Sequence, residues 1–294
     1  MIHKTVLLHE SIEGLAVKNG DVYLDGTLGS AGHALEACKK GASMIVGIDQ
    51  DEEALARAQS RLQSSCTFKL IKGSFRTMDT ILDSLNIRKV DKIMLDIGLS
   101  SDQFETSGRG FTFQKNEPLL MTFKKDPSEH DLTAKEIVNT WDEANIADVI
   151  YGYGEERYAR RIARVIVEER AKKPIETTFD LVELIKKATP WLYHRGKIHP
   201  ATRTFQALRI TVNDEINALK EGVIKGFDRL NSKGRMAVIS FHSLEDRVVK
   251  HLYKEKENEG LAVLITKKPI TASEQELEEN PRSRSAKLRI IEKL

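Results

Sequence analysis

Four short apolar runs, DVYLDGT, SMIVGID, FKLIKGS and DKIMLDIG, recur through the first hundred residues, with helical spacing between them as in DEEALARAQSRL. Strand and helix in strict alternation restrict the chain to βαβ units and a parallel sheet, because parallel neighbours need a crossover long enough to bring the chain back. The alternation stops after Gly98. From about residue 101 to about 200 the pattern reads as loops and then helices, notably EERYARRIARVIVEERAKK, which Pro174 closes. It resumes with a helix near 204–230, strand RMAVISF, helix SLEDRVVKHLYKEK and strands LAVLITKK and KLRIIEKL. The expected fold is α/β: a seven-stranded doubly wound sheet, Rossmann-like, with a helical insertion after the fourth strand. The sheet domain is expected over 1–105 and 205–294, and the insertion over 106–204.

At 294 residues, 40% of them hydrophobic and 31% charged, the chain is large enough for a substantial core. The amino terminus lacks the apolar stretch of a signal peptide, and no run approaches a membrane span, so no membrane partner and a cytoplasmic location are expected. The two cysteines, Cys38 and Cys66, neither make a metal-ligand pair nor suffice for a disulfide framework, which suits a reducing compartment. No His, Cys and carboxylate cluster has ligand spacing, so no metal is expected. The net charge of +2 is uninformative, but its distribution is not. Between Leu184 and Asn213 there is no Asp or Glu, while Lys186, Lys187, Arg195, Lys197, Arg203 and Arg209 fall inside. A second basic island, PRSRSAKLR, lies near the carboxyl end. Either could be a solvated face; together, with Ser and Thr among the cations, they suit phosphate contacts.

The stretch LDGTLGSAGH at 24–33 follows the first strand, where an open α/β sheet has its crevice. It holds Gly29 and Gly32 but not the full dinucleotide fingerprint, and a glycine pair alone often serves only tight packing. The second strand ends in Asp49, about 20 residues further on, the position from which a carboxylate binds ribose hydroxyls. Nucleoside binding follows, with nicotinamide and adenosylmethionine both open. The fourth strand separates them. DIGLSS sets Asp96 at a strand end, followed by Gly98. The lone pair of an exocyclic amine is delocalised into its ring, so a methyltransferase acting there needs acceptors for the amine hydrogens. The Asp96 carboxylate and the Ile97 and Gly98 carbonyls can serve. Methylation at a ring carbon needs a nucleophilic Cys, and neither cysteine sits at a suitable strand end.

The segments LDGTLGSAGH, GIDQD, GSF, DIGLSSDQF, RGFTF, YGEERYARRIA, HPATRTFQALRI, VNDEI, ISFHSLEDR and NPRSRSAKLR occur in this order. The ordered set resembles the bacterial small-subunit (16S) ribosomal RNA cytosine N4-methyltransferase family over nearly the whole chain. The resemblance implies a class I methyltransferase that moves a methyl group from S-adenosylmethionine to the N4 amine of a cytidine in the decoding region. Its partner would be small ribosomal subunit RNA, not DNA; the sequence leaves monomer and homodimer open. By the same resemblance Ala31, Gly32, His33, Asp49, Phe75, Asp96 and Gln103 would line the cofactor, with Phe75 beside the adenine. Core packing is the other reading of Phe75, and helix capping of His33. Asp96, Gly98 and His242 would be catalytic. Arg109, Phe111, Phe113, His199, Arg203, Arg282 and Arg284 would meet RNA, although RGFTF reads equally well as a strand edge with two core Phe. Ser243 and Asp246 fit a capping box.

One segment departs from the family. Where the family has Gly-Pro-Leu-Asp-Met-Arg-Met-Asp, this chain has EPLLMTFK, with Glu117, Leu120, Thr122, Phe123 and Lys124 as the changes. Ala31 also stands where the family has glycine, which adds a methyl near the ligand. A related methyltransferase acting on another RNA or a protein, or a catalytically weakened ribosome-binding homologue, therefore remains an alternative.

Overall fold

The computed structural model describes residues 4–63, 65–98 and 107–294. The chain divides into two compact units, Met1–Gly98 with Ile216–Leu294, and Leu99–Glu215.

In the first unit, α1 (Leu8–Leu15) is followed by β1 (Val22–Asp25), α2 (Gly32–Lys39), β2 (Met44–Asp49), α3 (Glu52–Leu62), β3 (Phe68–Lys72), α4 (Met78–Ser84) and β4 (Val90–Asp96). In the second, α5 (Ala134–Thr140), α6 (Glu143–Gly154), α7 (Ala159–Arg170), α8 (Thr178–Ala188), α9 (Trp191–His194) and α10 (Thr202–Val212) follow one another. The chain then returns through α11 (Glu215–Arg229), β5 (Leu230–Ser240), α12 (Ser243–Asn258), β6 (Ala262–Leu264), α13 (Glu274–Glu279) and β7 (Lys287–Lys293).

Among the described residues seven strands form one sheet in the order β3-β2-β1-β4-β5-β7-β6. The first five pair in parallel, and β7 pairs antiparallel with β5 and β6. The strand order reverses between β1 and β4, which opens a crevice at the carboxyl ends of these strands. The central strands are apolar on both faces because both are covered. Tyr23, Ile45, Met94, Ile239 and Leu288 pack in one layer with α1 and α2. Leu24, Val46, Ile93, Leu95 and Val238 pack in the other, against α4 and α11. No helix among the described residues is long and apolar enough to cross a membrane.

The second unit has its own apolar core, which includes Phe111, Leu119, Met121, Ile137, Ile162, Phe205 and Leu208. A boundary at 204/205 would cut α10 and separate Phe205 from this core; the unit runs on to Glu215. The helix expected over 155–173 starts only at Ala159 and ends at Arg170. Glu155 caps α6 in the left-handed region at φ 49°, and the buried Glu156 accepts the Tyr158 amide at 2.9 Å. The helix expected near 204–230 is likewise two, broken at Asp214 with φ 49°. There the Asn213 side chain accepts from the Phe123 amide and donates to the Met121 carbonyl.

The cysteines also differ from expectation. Cys38 and Cys66 are joined by a disulfide with their Cα atoms 5.7 Å apart. Pairing of β3 beside β2 brings the lead-in to β3 next to the end of α2, which no spacing in the sequence discloses.

Candidate active site

The crevice is built from three strand ends. Asp25 closes β1, Asp49 closes β2 and Asp96 closes β4, and β1 lies between the other two. The turn after β1 ties them together. The Thr27 amide donates to Asp25 at 3.2 Å, the Asp96 amide donates to the Thr27 hydroxyl at 2.6 Å, and the Gly29 amide donates to Asp49 at 2.8 Å. The other Asp49 oxygen accepts from the Asp51 amide at 2.9 Å. Backbone amides thus fix this carboxylate at the end of β2.

Taking three carboxylates out of water in one place makes the protons hard to remove. Asp25, only 2% exposed, is pushed up to about 7, first by burial and then by the charges of Asp96 and Asp49, against the bond from Thr27. Asp96 rises to about 6, again chiefly by burial, with the Gly98 amide opposing and Glu245 adding to the rise. Asp49 is raised by burial as well, against its backbone hydrogen bonds. Once ionised, these carboxylates repel a pyrophosphate and favour a ligand with positive charge. S-adenosylmethionine, which carries a sulfonium and an ammonium, fits this donor set; a nicotinamide dinucleotide does not.

The other expected cofactor residues divide. The Gly32 position has no room for a Cβ, which would lie 1.9 Å from the Thr5 hydroxyl, so here glycine admits the amino-terminal segment. His33 is buried in the first turn of α2, its Nε2 3.1 Å from the Val6 carbonyl oxygen, and so helps hold that segment rather than cap the helix. Ala31 takes φ 60° and is fully buried, so its methyl group packs into the core and not toward a ligand. Phe75 is half-buried and packs where a Cβ on Gly222 would come 2.5 Å from its ring, a packing role in α11's face of the sheet. Gln103 lies outside the described residues.

Gly98 donates to Asp96 at 3.2 Å, and a Cβ there would fall 2.6 Å from the Phe241 ring. His242, not Ser243, is the amino-terminal cap of α12. Its Nδ1 accepts the Glu245 amide at 3.4 Å, and the Glu245 carboxylate answers by accepting the Phe241 amide at 2.8 Å. Nδ1 is used in capping, so His242 positions its helix, while the buried Nε2 lies 3.1 Å from a Glu245 oxygen. Asp246 is released from capping to pair with Arg289 at 2.6 Å and Lys287 at 3.3 Å. Sequence reasoning missed Asp25, Thr27 and Glu245. An Asp and a Thr flank the glycine at the end of the first strand, but only the position of β1 between β2 and β4 joins them to Asp49 and Asp96.

In the second unit the aromatic expectations need correction. Phe111 is 6% exposed and stacks on Phe123 with centroids 5.7 Å apart, so no base can reach it. The Arg109 guanidinium donates to the Phe123 and Lys124 carbonyls at 2.6 and 2.9 Å, which holds the altered segment. Phe113 is half-buried, stacked on the exposed His199 at 4.5 Å and meeting Phe205 edge-on at 5.4 Å. Arg203 is half-buried and donates to the Glu155 carbonyl at 3.1 Å. Arg209 is committed to Glu215 through two bonds of 2.9 Å. In the first unit Arg282 and Arg284 are exposed on either side of the buried Ser283.

The altered segment is internally satisfied. Glu117 accepts the Gly110 amide at 2.9 Å, Lys124 pairs with Asp131, and Thr122, 5% exposed, accepts the Lys124 amide at 3.2 Å. Thr122→Arg, which restores the family residue, is therefore expected to cost about 2 kcal/mol or more, because the site is built for a small side chain and offers a guanidinium no water. Urea denaturation of the variant checks it.

The strand order, the reversal crevice and the three strand-end carboxylates fit a methyltransferase with a cationic methyl donor. The MraW methylase family model matches residues 1–294, and the chain belongs to that family, with S-adenosylmethionine as cofactor. Among curated relatives, the ribosomal RNA small subunit methyltransferase H of Brevibacillus brevis is 44% identical over 310 residues, covering 99% of this chain and 98% of that one. The protein of the same name from Persephonella marina is 44% identical over 294 residues, covering 99% of each.

Proposed function

We propose that this chain methylates the N4 amine of a cytidine in the decoding region of small-subunit ribosomal RNA. The observation that carries the reading is the place of Asp96: it closes β4 at the reversal crevice, half-buried, with its amide held by the Thr27 hydroxyl and its carboxylate accepting the Gly98 amide. The naming of the curated relatives supports ribosomal RNA of the small subunit as substrate class.

The bound cofactor supplies an electrophilic methyl group on sulfur. Asp49 would hold ligand hydroxyls, and the ionised Asp25 and Asp96 would offset the positive charge. Asp96 accepts a hydrogen from the target amine, draws the nitrogen lone pair out of conjugation and aims it. After transfer the amine proton is acidic enough to leave to water, and Asp96 can take it on the way. Within their own unit Phe123 packs against the core, Glu117 accepts the Gly110 amide, Thr122 is buried and Lys124 pairs with Asp131, so these changed residues have local structural roles.

The test is incubation of the purified protein with labelled S-adenosylmethionine and undermethylated small subunits, with the label mapped to a nucleotide. Label on N4 of a decoding-region cytidine is the expected result. Intact cofactor binding without label on that base overturns the reading.

A further inference from the structure

The acid-free stretch between Leu184 and Asn213 contains an exposed aromatic that the function above does not use. Pro190 ends the extended link after α8 and starts α9. Two side chains of this short helix turn inward: Tyr193 donates to the Glu156 carboxylate and meets Tyr158 edge-on at 5.1 Å, and His194 lies 2.8 Å from the Thr189 hydroxyl. The other two face solvent. Trp191 is 66% exposed and Leu192 is 74% exposed. A helix pinned by Tyr193 and His194 thus holds a large apolar ring in water, an arrangement that folding alone does not reward.

The charge around the ring is one-sided. The Arg195 guanidinium lies over the Trp191 ring at 5.0 Å, and Lys197 is exposed two residues on. Lys186 and Lys187, by contrast, are neutralised by Glu183 and Glu169. A flat π face with uncompensated cations and no carboxylate in the stretch complements an unpaired base with its phosphates. It does not complement an acid-balanced protein surface.

We infer that Trp191, with Arg195 and Lys197, is a stacking platform for an unpaired nucleotide of the RNA substrate, separate from the crevice residues. This rests on the RNA reading above and adds to it a contact that reading does not need.

Trp141 and Trp191 are the only tryptophans, so fluorescence can isolate the platform. In Trp141→Phe, a short unstructured RNA is expected to quench the remaining emission saturably and less at high salt. If that variant folds poorly, the difference between the unmodified protein and Trp191→Phe gives the same signal. Trp191→Ala is expected to raise the KM for small subunits about tenfold while the cofactor Kd stays unchanged, as loss of one stacked base predicts. Absent quenching, or an unchanged KM in Trp191→Ala, overturns the platform. So does a Trp191→Ala effect confined to self-association in sedimentation, which would assign the patch to a second copy. Quenching by RNA without methylation of the subunit would keep the platform and reject the substrate reading. Methylation with an unchanged KM would do the reverse.

Discussion

Asp96→Ala is expected to lower single-turnover methyl transfer by two to three orders of magnitude, the scale of removing one preorganised acceptor or donor from a dry site. The fold should survive. Among the described residues the Asp96 side chain bonds the Gly98 amide, and its backbone amide keeps the bond to Thr27. The carboxylate lost was itself a burden on the apo protein, because burial pushed it up to about 6. In the parent protein, rate should therefore fall as pH drops through about 6 and Asp96 takes up a proton. In Asp96→Ala the residual rate should lose that dependence. Near-normal turnover in the variant, with an unchanged pH profile, would remove Asp96 from the chemistry.

Much of the sheet was legible because its strands are apolar on both faces, and a run such as MIVGID has no amphipathic alternative. The insertion was also visible, as a place where alternation stops. Its internal breaks were not. Glu155 and Asp214 both adopt left-handed backbone at φ 49° without being glycine, and of the two only Asp is a residue type that favours this region, so their identity marks a helix end weakly. The capping of α12 was ambiguous for another reason: FHSLED satisfies the capping pattern in two registers, His242 with Glu245 and Ser243 with Asp246. The structure takes the first because Asp246 is needed against the buried Arg289. RGFTF could not be assigned from its residues, since a clamp and a core strand want the same aromatics; burial of Phe111 decides for the core.

The carboxylate cluster shows what sequence spacing leaves out. Asp49 was found from its distance to the glycine turn, and Asp96 from its place after the fourth strand. Asp25 belongs with them only once β1 is seen to lie between β2 and β4. That adjacency gives the site its electrostatic character, and it also makes the apo protein less stable than it need be.

Asp25→Asn should expose this trade. The native carboxyl, pushed up to about 7 from an ordinary 3.8, holds a proton that the unfolded chain has already released. Stability from this group is therefore complete at low pH, is lost as pH rises from about 4 to about 7, and stays lost above. The full loss is on the order of 4 kcal/mol, at 1.36 kcal/mol for each pH unit. Asn fills the same volume with no charge to bury, so cofactor-free Asp25→Asn should unfold at higher urea than the parent at pH 8. The advantage should shrink as pH approaches 4. Binding should change in the opposite sense. A cationic ligand favours the ionised carboxylates, so the parent should release protons on binding and lose affinity below about pH 7. Asp25→Asn should bind more weakly at pH 8 and, between about pH 6 and 7 where the parent carboxyl still holds a proton, release fewer protons, as titration calorimetry in buffers of different ionisation enthalpy would read. A variant that is less stable at pH 8, or that binds as tightly as the parent with the same proton release, would show that Asp25 is neither charged nor used in the apo crevice. The three-carboxylate account of cofactor choice would then fail with it.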